Sequence, residues 1–179
     1  MGHGPYDAGV DTTRRLVIVR HAKAEPYAPT DVERVLADRG RIEARLLGEW
    51  LASEGIAPDV AYVSYAARTR ETWDAVAAGA GWDLEPEYDG NLYGTDEEGA
   101  MDLVRATPAE AGTVVVIGHN PTMGMLVQLL DDGEGEATGS VALGSFPTST
   151  AAVFDIQGSW ADLAPMQGRL RHFHVARED

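Results

Sequence analysis

Two short runs of valine, isoleucine and leucine, each followed by a histidine, constrain the fold of this chain more than any other feature. The first run, 16–19, leads into Arg20-His21, and the second, 114–117, leads through a glycine into His119. Continuous apolar runs of this kind predict strands buried on both faces, as in the parallel sheets of α/β domains. Because ligands of such sheets bind beyond the carboxyl ends of the strands, we expect Arg20, His21 and His119 to meet at one edge.

Helical and strand patterns alternate along the rest of the chain. Asp38 and Asn120 are the predicted N-caps, and Gly55 and Gly79 are the predicted helix ends. The predicted elements are helices between Asp38 and Gly55, over 67–78 and 121–130 and near 97–105, and strands at 60–63, 84–88, 151–156 and 170–175, the last two as a hairpin. This order predicts an α/β fold, a three-layer α/β/α domain with a mostly parallel central sheet.

Length and composition narrow the class of protein. The 179 residues fit one domain over 14–179, preceded by a loosely held tail at 1–13. With 14 basic and 29 acidic residues the net charge is −15, so we expect no nucleic-acid and no membrane partner. The lack of cysteine excludes disulfides, thiolate metal sites and a cysteine-based phosphatase mechanism. The absence of a leader-like or membrane-spanning segment predicts a cytoplasmic protein.

The residues at the predicted sheet edge suit the binding of a phosphoryl group. The guanidinium fork of Arg20 matches phosphate oxygens, and a neutral His21 is a competent phosphoryl acceptor. Arg68 begins the helix after strand 60–63 and should reach the same edge, while the helix after His119 adds free N–H groups. Lys23 and Asn120 are further candidates for substrate binding, although ordinary surface positions would explain both.

Four segments that carry these residues resemble the histidine phosphatase superfamily, and most of all its small SixA-type phosphohistidine phosphatases. The segments are Val19-Arg20-His21-Ala22-Lys23-Ala24, Leu36-Ala37-Asp38-Arg39-Gly40, residues 63–72 and residues 115–121. The resemblance implies the histidine-phosphatase fold, also called phosphoglycerate-mutase-like, with no metal or other cofactor. It also implies that His21 is the phosphorylated nucleophile, and that Arg20, Arg68 and His119 bind the phosphoryl oxygens.

The sequence departs from the family pattern at two positions. The usual glycine after the nucleophile is Ala22, as is common among SixA-type members. Many relatives carry a glutamate general acid in the loop that corresponds to 88–95, where Asn91 stands here and Asp89 is a candidate substitute. A missing acid matters for alkoxide leaving groups, which need a proton, and matters less for phosphohistidine, whose ring can leave neutral.

The leading hypothesis is therefore a metal-independent phosphatase acting on protein phosphohistidine. The alternative within enzymes is a small-molecule phosphomonoesterase for a sugar or metabolite phosphate. A non-catalytic module that binds phosphate or phosphoproteins is the second alternative. The expected partner is thus a phosphorylated protein or a small phosphate ester, with the oligomeric state left open. His172 and His174 are expected on an exposed edge strand, and 131–139 in an exposed loop.

Overall fold

A six-stranded mixed sheet organises residues 13–179, the part of the chain that the computed structural model describes. The predicted tail, apart from Thr13, lies outside the described residues. The strands are β1 Arg14–Arg20, β2 Val60–Ser64, β3 Glu87–Asp89, β4 Thr113–Gly118, β5 Thr150–Ile156 and β6 Gly168–Val175. The helices are α1 Asp38–Ser53, α2 Ala67–Ala80, α3 Glu97–Arg105, α4 Thr122–Leu130 and α5 Thr138–Val141, with 3₁₀ turns at Asp31–Glu33 and Asn91–Tyr93.

The strand order β3-β2-β4-β1-β5-β6 confirms the predicted α/β fold. Strands β3, β2, β4 and β1 are parallel, and β5 and β6 add an antiparallel hairpin at one side. Arg20 at the end of β1 pairs with Gly118 at the end of β4. The two histidines that follow these strands therefore leave the sheet side by side.

The central strand residues alternate between two hydrophobic cores, one on each face of the sheet. Leu16 and Ile18 belong to the core that includes residues of α3 and α4, whereas Val17 and Val19 belong to the core formed with α1 and α2. All four side chains are fully buried. Burial of both faces explains why these strands read as continuous apolar runs, and each such side chain contributes about 1.5–3 kcal/mol to folding.

The ends of α1 differ slightly from the prediction. Asp38 is the first helical residue and Ala37 is the N-cap, so Asp38 does not cap the helix as predicted. Gly55 lies one residue beyond the C-cap with a φ of 74°, which is the left-handed conformation that favours glycine. The C-terminal prediction is therefore correct to within one residue.

The prediction that Gly79 ends α2 is wrong. The helix continues to Ala80 and is capped by Gly81 at a φ of 73°. Gly79 instead allows α1 and α2 to approach, because a Cβ there would lie 2.1 Å from the carbonyl oxygen of Arg45. A glycine is therefore required at position 79 by the packing of α1 against α2 and not by the end of the helix.

The remaining elements lie close to their predicted places. The edge strand predicted at 84–88 is β3, and the predicted late hairpin is β5–β6. The predicted loop at 131–139 ends in the short helix α5. Among the described residues, no helix combines the length and apolar character needed to cross a membrane.

Candidate active site

Six residues singled out in the sequence line one open cavity at the carboxyl ends of β1 and β4. Its volume is about 280 Å³. The lining consists of Arg20, His21, Lys23, Ala24, Arg34, Arg68, His119, Asn120 and Thr148. The structure thus brings together the predicted nucleophile, the three predicted phosphoryl ligands and both further candidates for substrate binding.

His21 is held at the sheet edge by its own backbone. Its N–H donates to the carbonyl oxygen of Gly118 over 3.1 Å, and its carbonyl accepts from the Ser149 N–H over 3.2 Å. The ring Nδ1 lies 2.7 Å from the carbonyl oxygen of Ala22. Because a carbonyl can only accept, Nδ1 carries the proton and Nε2 keeps its lone pair. The tautomer is the one that a nucleophile acting through Nε2 requires.

Burial keeps His21 neutral. The pKa of His21 is lowered from 6.5 to about 3, mainly by burial and also by the charges of His119, Arg68 and Arg20, against the raising effect of the Ala22 carbonyl. A neutral imidazole has a free lone pair at neutral pH. His21 is therefore ready to attack without prior loss of a proton.

Ala22, where the resemblance implies a glycine, links the loop of His21 to α2. Its side chain is fully buried. Its N–H donates to the Thr72 hydroxyl over 3.0 Å, and that hydroxyl donates to the Arg68 carbonyl over 2.6 Å. One threonine of α2 thereby joins the loop of the nucleophile to the first turn of the helix that carries Arg68.

Arg68 is buried and makes two bonds to a single residue, Asp31. Nη1 donates to the Asp31 backbone oxygen over 2.9 Å, and Nη2 donates to Oδ2 over 3.0 Å. The Tyr93 hydroxyl donates to the same carboxylate over 2.5 Å. These bonds, that from Tyr93 above all, hold the pKa of Asp31 well below its usual range.

Arg20 lies on the opposite side of the His21 backbone, against the loop before β5. Its Nη1 donates to the Phe146 carbonyl over 3.2 Å, and Asn120 Nδ2 donates to the same oxygen over 2.8 Å. Burial lowers the pKa of Arg20, although a guanidinium stays charged at any physiological pH. Arg20 and Asn120 are thus fixed relative to each other.

His119 faces His21 across the cavity, with ring centroids 5.3 Å apart. Its Nε2 lies 2.8 Å from the Ser64 hydroxyl, and the Tyr93 ring packs edge-on against it at 5.4 Å. Burial, followed by the charge of Arg68, lowers the pKa of His119 to about 4. In the free protein His119 is therefore a neutral hydrogen-bonding group.

Three buried nitrogens of residues that line this cavity have no hydrogen-bond partner among residues 13–179. They are Nε of Arg20, Nε of Arg68 and Nδ1 of His119. A buried donor without a partner costs about 1–3 kcal/mol, so such groups are retained where a ligand satisfies them. Two guanidinium N–H donors and an imidazole nitrogen on residues that line one cavity suit an oxyanion with several oxygens, such as a phosphoryl group.

The predicted cap of α4 is wrong by one residue. Pro121 is the N-cap, and Asn120 precedes it. Asn120 Oδ1 nevertheless accepts from the Gly124 N–H over 3.2 Å, so its side chain still satisfies a donor of the first turn. Asn120 therefore serves the helix with one end of its amide and the Phe146 loop with the other.

Asp89, the candidate general acid, is not brought to this cavity. It lines a separate cavity together with Asn91 and Thr95. Its Oδ1 accepts from the N–H groups of Asn91 over 2.7 Å and of Leu92 over 3.2 Å, which fixes the 3₁₀ turn Asn91–Tyr93. The contacts of Asp89 are thus those of a turn-capping residue.

Sequence reasoning missed Asp31, Arg34, Tyr93 and Thr148 as neighbours of the site. Arg34 donates to Asp31 Oδ1 over 2.9 Å. Arg34 and Thr148 both line the cavity. These residues lie in loops without hydrophobic periodicity, so no local pattern marked them. The acidic residue opposite Arg68 comes from 37 positions earlier in the chain.

His172 and His174 lie outside this site, on the edge strand β6. The His174 ring stacks on Trp50 at 4.2 Å, and His172 Nε2 lies 3.3 Å from the Glu54 carboxylate. Within residues 13–179, no group of three or more histidine, aspartate or glutamate side chains could hold a metal ion. The contacts of the pair are those of packed surface residues.

The two buried histidines predict that stability falls as the pH drops from 7 to 5. Their folded-state pKa values of about 3 and 4 lie below the ordinary 6.5, so in this range only the unfolded chain takes up protons there. Each histidine should lower the free energy of unfolding by roughly 1–2 kcal/mol between pH 7 and pH 5.

Urea unfolding at pH 7 and pH 5 measures this loss. His119→Asn should lose less stability over the same interval than the wild type, by about the contribution of one histidine. The comparison uses the pH dependence and not the absolute stability, so lost packing does not obscure it. An equal pH dependence in both proteins would contradict the prediction.

Comparisons with known proteins agree with the fold and identify the family. Residues 16–96 match the model of the histidine phosphatase superfamily (branch 1). An uncharacterized protein of Mycobacterium tuberculosis is 36% identical over 162 residues, covering 89% of this chain and all of that protein.

Two solved structures extend the comparison. A protein of Nakamurella multipartitia, assigned as the phosphohistidine phosphatase SixA, has a TM-score of 0.81 with 33% identity over 92% of this chain and 96% of that chain. A protein of Agrobacterium tumefaciens with the same assignment has a TM-score of 0.76 with 30% identity over 90% of this chain and 97% of that chain.

Proposed function

We propose that this chain, which belongs to the histidine phosphatase superfamily, removes the phosphoryl group from phosphohistidine in a protein. Membership of the superfamily identifies the protein as a histidine-type phosphatase. Its substrate and the roles of its residues are proposed. The observation that carries it is the unprotonated Nε2 of a neutral His21, in a cavity whose lining residues hold three buried nitrogens without a partner in the described part of the chain.

The first step transfers the phosphoryl group to His21. Nε2 attacks phosphorus, the bond between phosphorus and the substrate nitrogen breaks, and the electron pair of that bond stays on the leaving ring. The leaving imidazole is neutral, because its other nitrogen already carries a proton. Nδ1 of His21 keeps its own proton through the bond to Ala22, so the product of this step is phospho-His21.

Positive charge around the cavity supports this transfer. The equatorial oxygens carry the negative charge of the phosphoryl group in the transition state, and catalysis consists mainly of positioning and charge neutralisation. Arg20 and Arg68 supply two fixed positive charges, and His119 adds an imidazole nitrogen that has no partner among the described residues. Water then attacks phospho-His21, which releases phosphate and restores the neutral imidazole.

The lining of the cavity favours a leaving group that needs no proton. Within the described part of the chain, no aspartate or glutamate lines it. Asp31, which contacts Arg68, has a pKa well below its usual range and is therefore ionised, so it cannot donate a proton. Phosphohistidine fits this environment better than an alkyl phosphate does, and the similarity to structures assigned as phosphohistidine phosphatases supports the same choice.

The test is phosphate release from a histidine-phosphorylated protein in the presence of a metal chelator. We expect rapid turnover, with a serine-phosphorylated protein as a poor substrate. Arg68→Ala should lower kcat/KM by about 10²–10³-fold, since a preorganised charge at the transferring group is lost.

Arg70→Ala is the matched control on the same helix. The Arg70 side chain donates to the Tyr65 carbonyl and stacks on Tyr88, 4.3 Å from the ring centroid, outside the cavity. Activity of this variant should match the wild type. Preference for a small phosphate ester over the phosphohistidine protein would favour the phosphomonoesterase alternative.

A further inference from the structure

The carboxylate of Asp31 joins three side chains from separate parts of the chain. Oδ2 accepts from Arg68 Nη2 over 3.0 Å and from the Tyr93 hydroxyl over 2.5 Å, and Oδ1 accepts from Arg34 Nε over 2.9 Å. The backbone oxygen of Asp31 accepts from Arg68 Nη1 over 2.9 Å. A single residue of a surface 3₁₀ turn thus contacts two of the cavity arginines.

The two bonds to Asp31 fix the orientation of the Arg68 guanidinium. They use both terminal nitrogens, and because the guanidinium is rigid and planar, they also fix the direction of its third nitrogen. That nitrogen, Nε, is buried and has no partner among residues 13–179. The bonds to Asp31 therefore leave one N–H donor of a cavity-lining arginine without a partner in the described part of the chain.

Tyr93 connects this pair to the second predicted phosphoryl ligand on the same side. Its ring packs edge-on against His119 at 5.4 Å, and the Arg68 guanidinium lies 5.9 Å from its centroid. The hydroxyl at the far end of the ring donates to Asp31. Asp31 and Tyr93 together link Arg68 to His119.

Asp31 is also the acidic counter-ion of a cavity lined by cations. Arg20, Lys23, Arg34 and Arg68 line the cavity, and the Asp31 carboxylate forms ion pairs with the last two. An anion next to Arg68 repels a phosphate that approaches the same guanidinium. The carboxylate therefore opposes the binding of phosphate at the same time as it orients Arg68.

We propose that Asp31 is a positioning residue that orients Arg68 for the transferring phosphoryl group and weakens the binding of free phosphate, so that product leaves. The inference rests on the proposed function only in that Arg68 contacts the phosphoryl group. Asp31 acts through Arg68 and Tyr93, and it transfers no proton.

Asp31→Asn tests the inference, because it keeps the size and the acceptor oxygen and removes the charge. Inorganic phosphate, titrated calorimetrically, should bind about tenfold more tightly, as expected for loss of one negative charge near a dianion. With p-nitrophenyl phosphate as substrate, kcat should fall about tenfold while KM does not rise. Glu33→Gln is the matched control, because that carboxylate lies on the same turn and accepts from Thr30; it should change neither value.

Tyr93→Phe keeps the ring against His119 and removes the bond to Asp31. It should change phosphate affinity and kcat in the same directions as Asp31→Asn, but less. The double variant should resemble Asp31→Asn alone, since the two groups act through one contact.

Unchanged or weaker phosphate binding in Asp31→Asn would overturn the inference, as would an unchanged kcat. The phosphate titration decides the matter even if the wild type hydrolyses no substrate, an outcome that would contradict the proposed function instead. Thermal unfolding of each variant identifies loss of the fold, in which case the Tyr93→Phe result decides.

Discussion

Replacing His21 with alanine should abolish turnover, with a loss on the order of 10⁴-fold or more in kcat. The reason is that Nε2 of His21 is the proposed covalent acceptor, and alanine offers no nucleophile in its place. The fold should persist, because among residues 13–179 the His21 ring hydrogen-bonds to the adjacent Ala22 carbonyl alone, and it lies at the sheet edge. Phosphate release together with thermal unfolding measures both expectations.

The phosphoenzyme offers a direct check of the same prediction. Wild-type protein quenched rapidly during turnover should carry acid-labile phosphate, and the His21→Ala variant should carry none. His172→Ala, which removes an imidazole on β6 outside the cavity, should keep both turnover and labelling. Near-normal activity of His21→Ala would disprove the proposed mechanism.

The rate should depend steeply on the basicity of the leaving group. Without a general acid an alkoxide must leave unprotonated, and general-acid assistance is typically worth about 10²–10⁴-fold. Aryl phosphates and phosphohistidine should therefore be good substrates, and sugar or alkyl phosphates should be slower by about that factor. Initial rates with a series of aryl and alkyl phosphates measure the dependence.

Asp89→Asn is the companion variant for this prediction. Asp89 caps a 3₁₀ turn beside a different cavity, so its charge should not matter for the transfer step. We expect equal rates for the variant and the wild type with phosphohistidine and with alkyl phosphates. A large loss confined to alkyl phosphates would identify Asp89 as the acid and would favour the small-molecule phosphatase.

Local sequence patterns were sufficient to predict the sheet and the position of its active edge. The β1 and β4 runs are apolar at every residue because both faces of these strands are buried, and burial of that kind leaves a signal in consecutive residues. Parallel neighbours end at the same edge of a sheet. The meeting of Arg20, His21 and His119 could therefore be predicted from position along the chain.

Positions whose role depends on a distant partner could not be predicted in this way. Gly79 was predicted to end a helix because glycine is common there, whereas its role is to let α1 approach α2. Asp89 was predicted as a candidate general acid because it is a carboxylate in the corresponding loop, but its Oδ1 accepts from the backbone of its own turn. In both cases the residue type suggested a role, but the contacts that decide the role cannot be predicted from the residue type alone.

The sequence by itself determined the strands and the edge at which Arg20, His21 and His119 meet, because periodicity and strand ends are local properties. The roles of these residues and of Arg68 follow from the resemblance to the histidine phosphatases and stay predictions. Only the tertiary structure decided which ring nitrogen of His21 carries the proton, and which acid accompanies Arg68. Those features depend on the Ala22 carbonyl geometry and on a loop that brings Asp31 across 37 positions to the buried guanidinium. Such contacts arise from packing of the whole chain, which no short stretch of residues records.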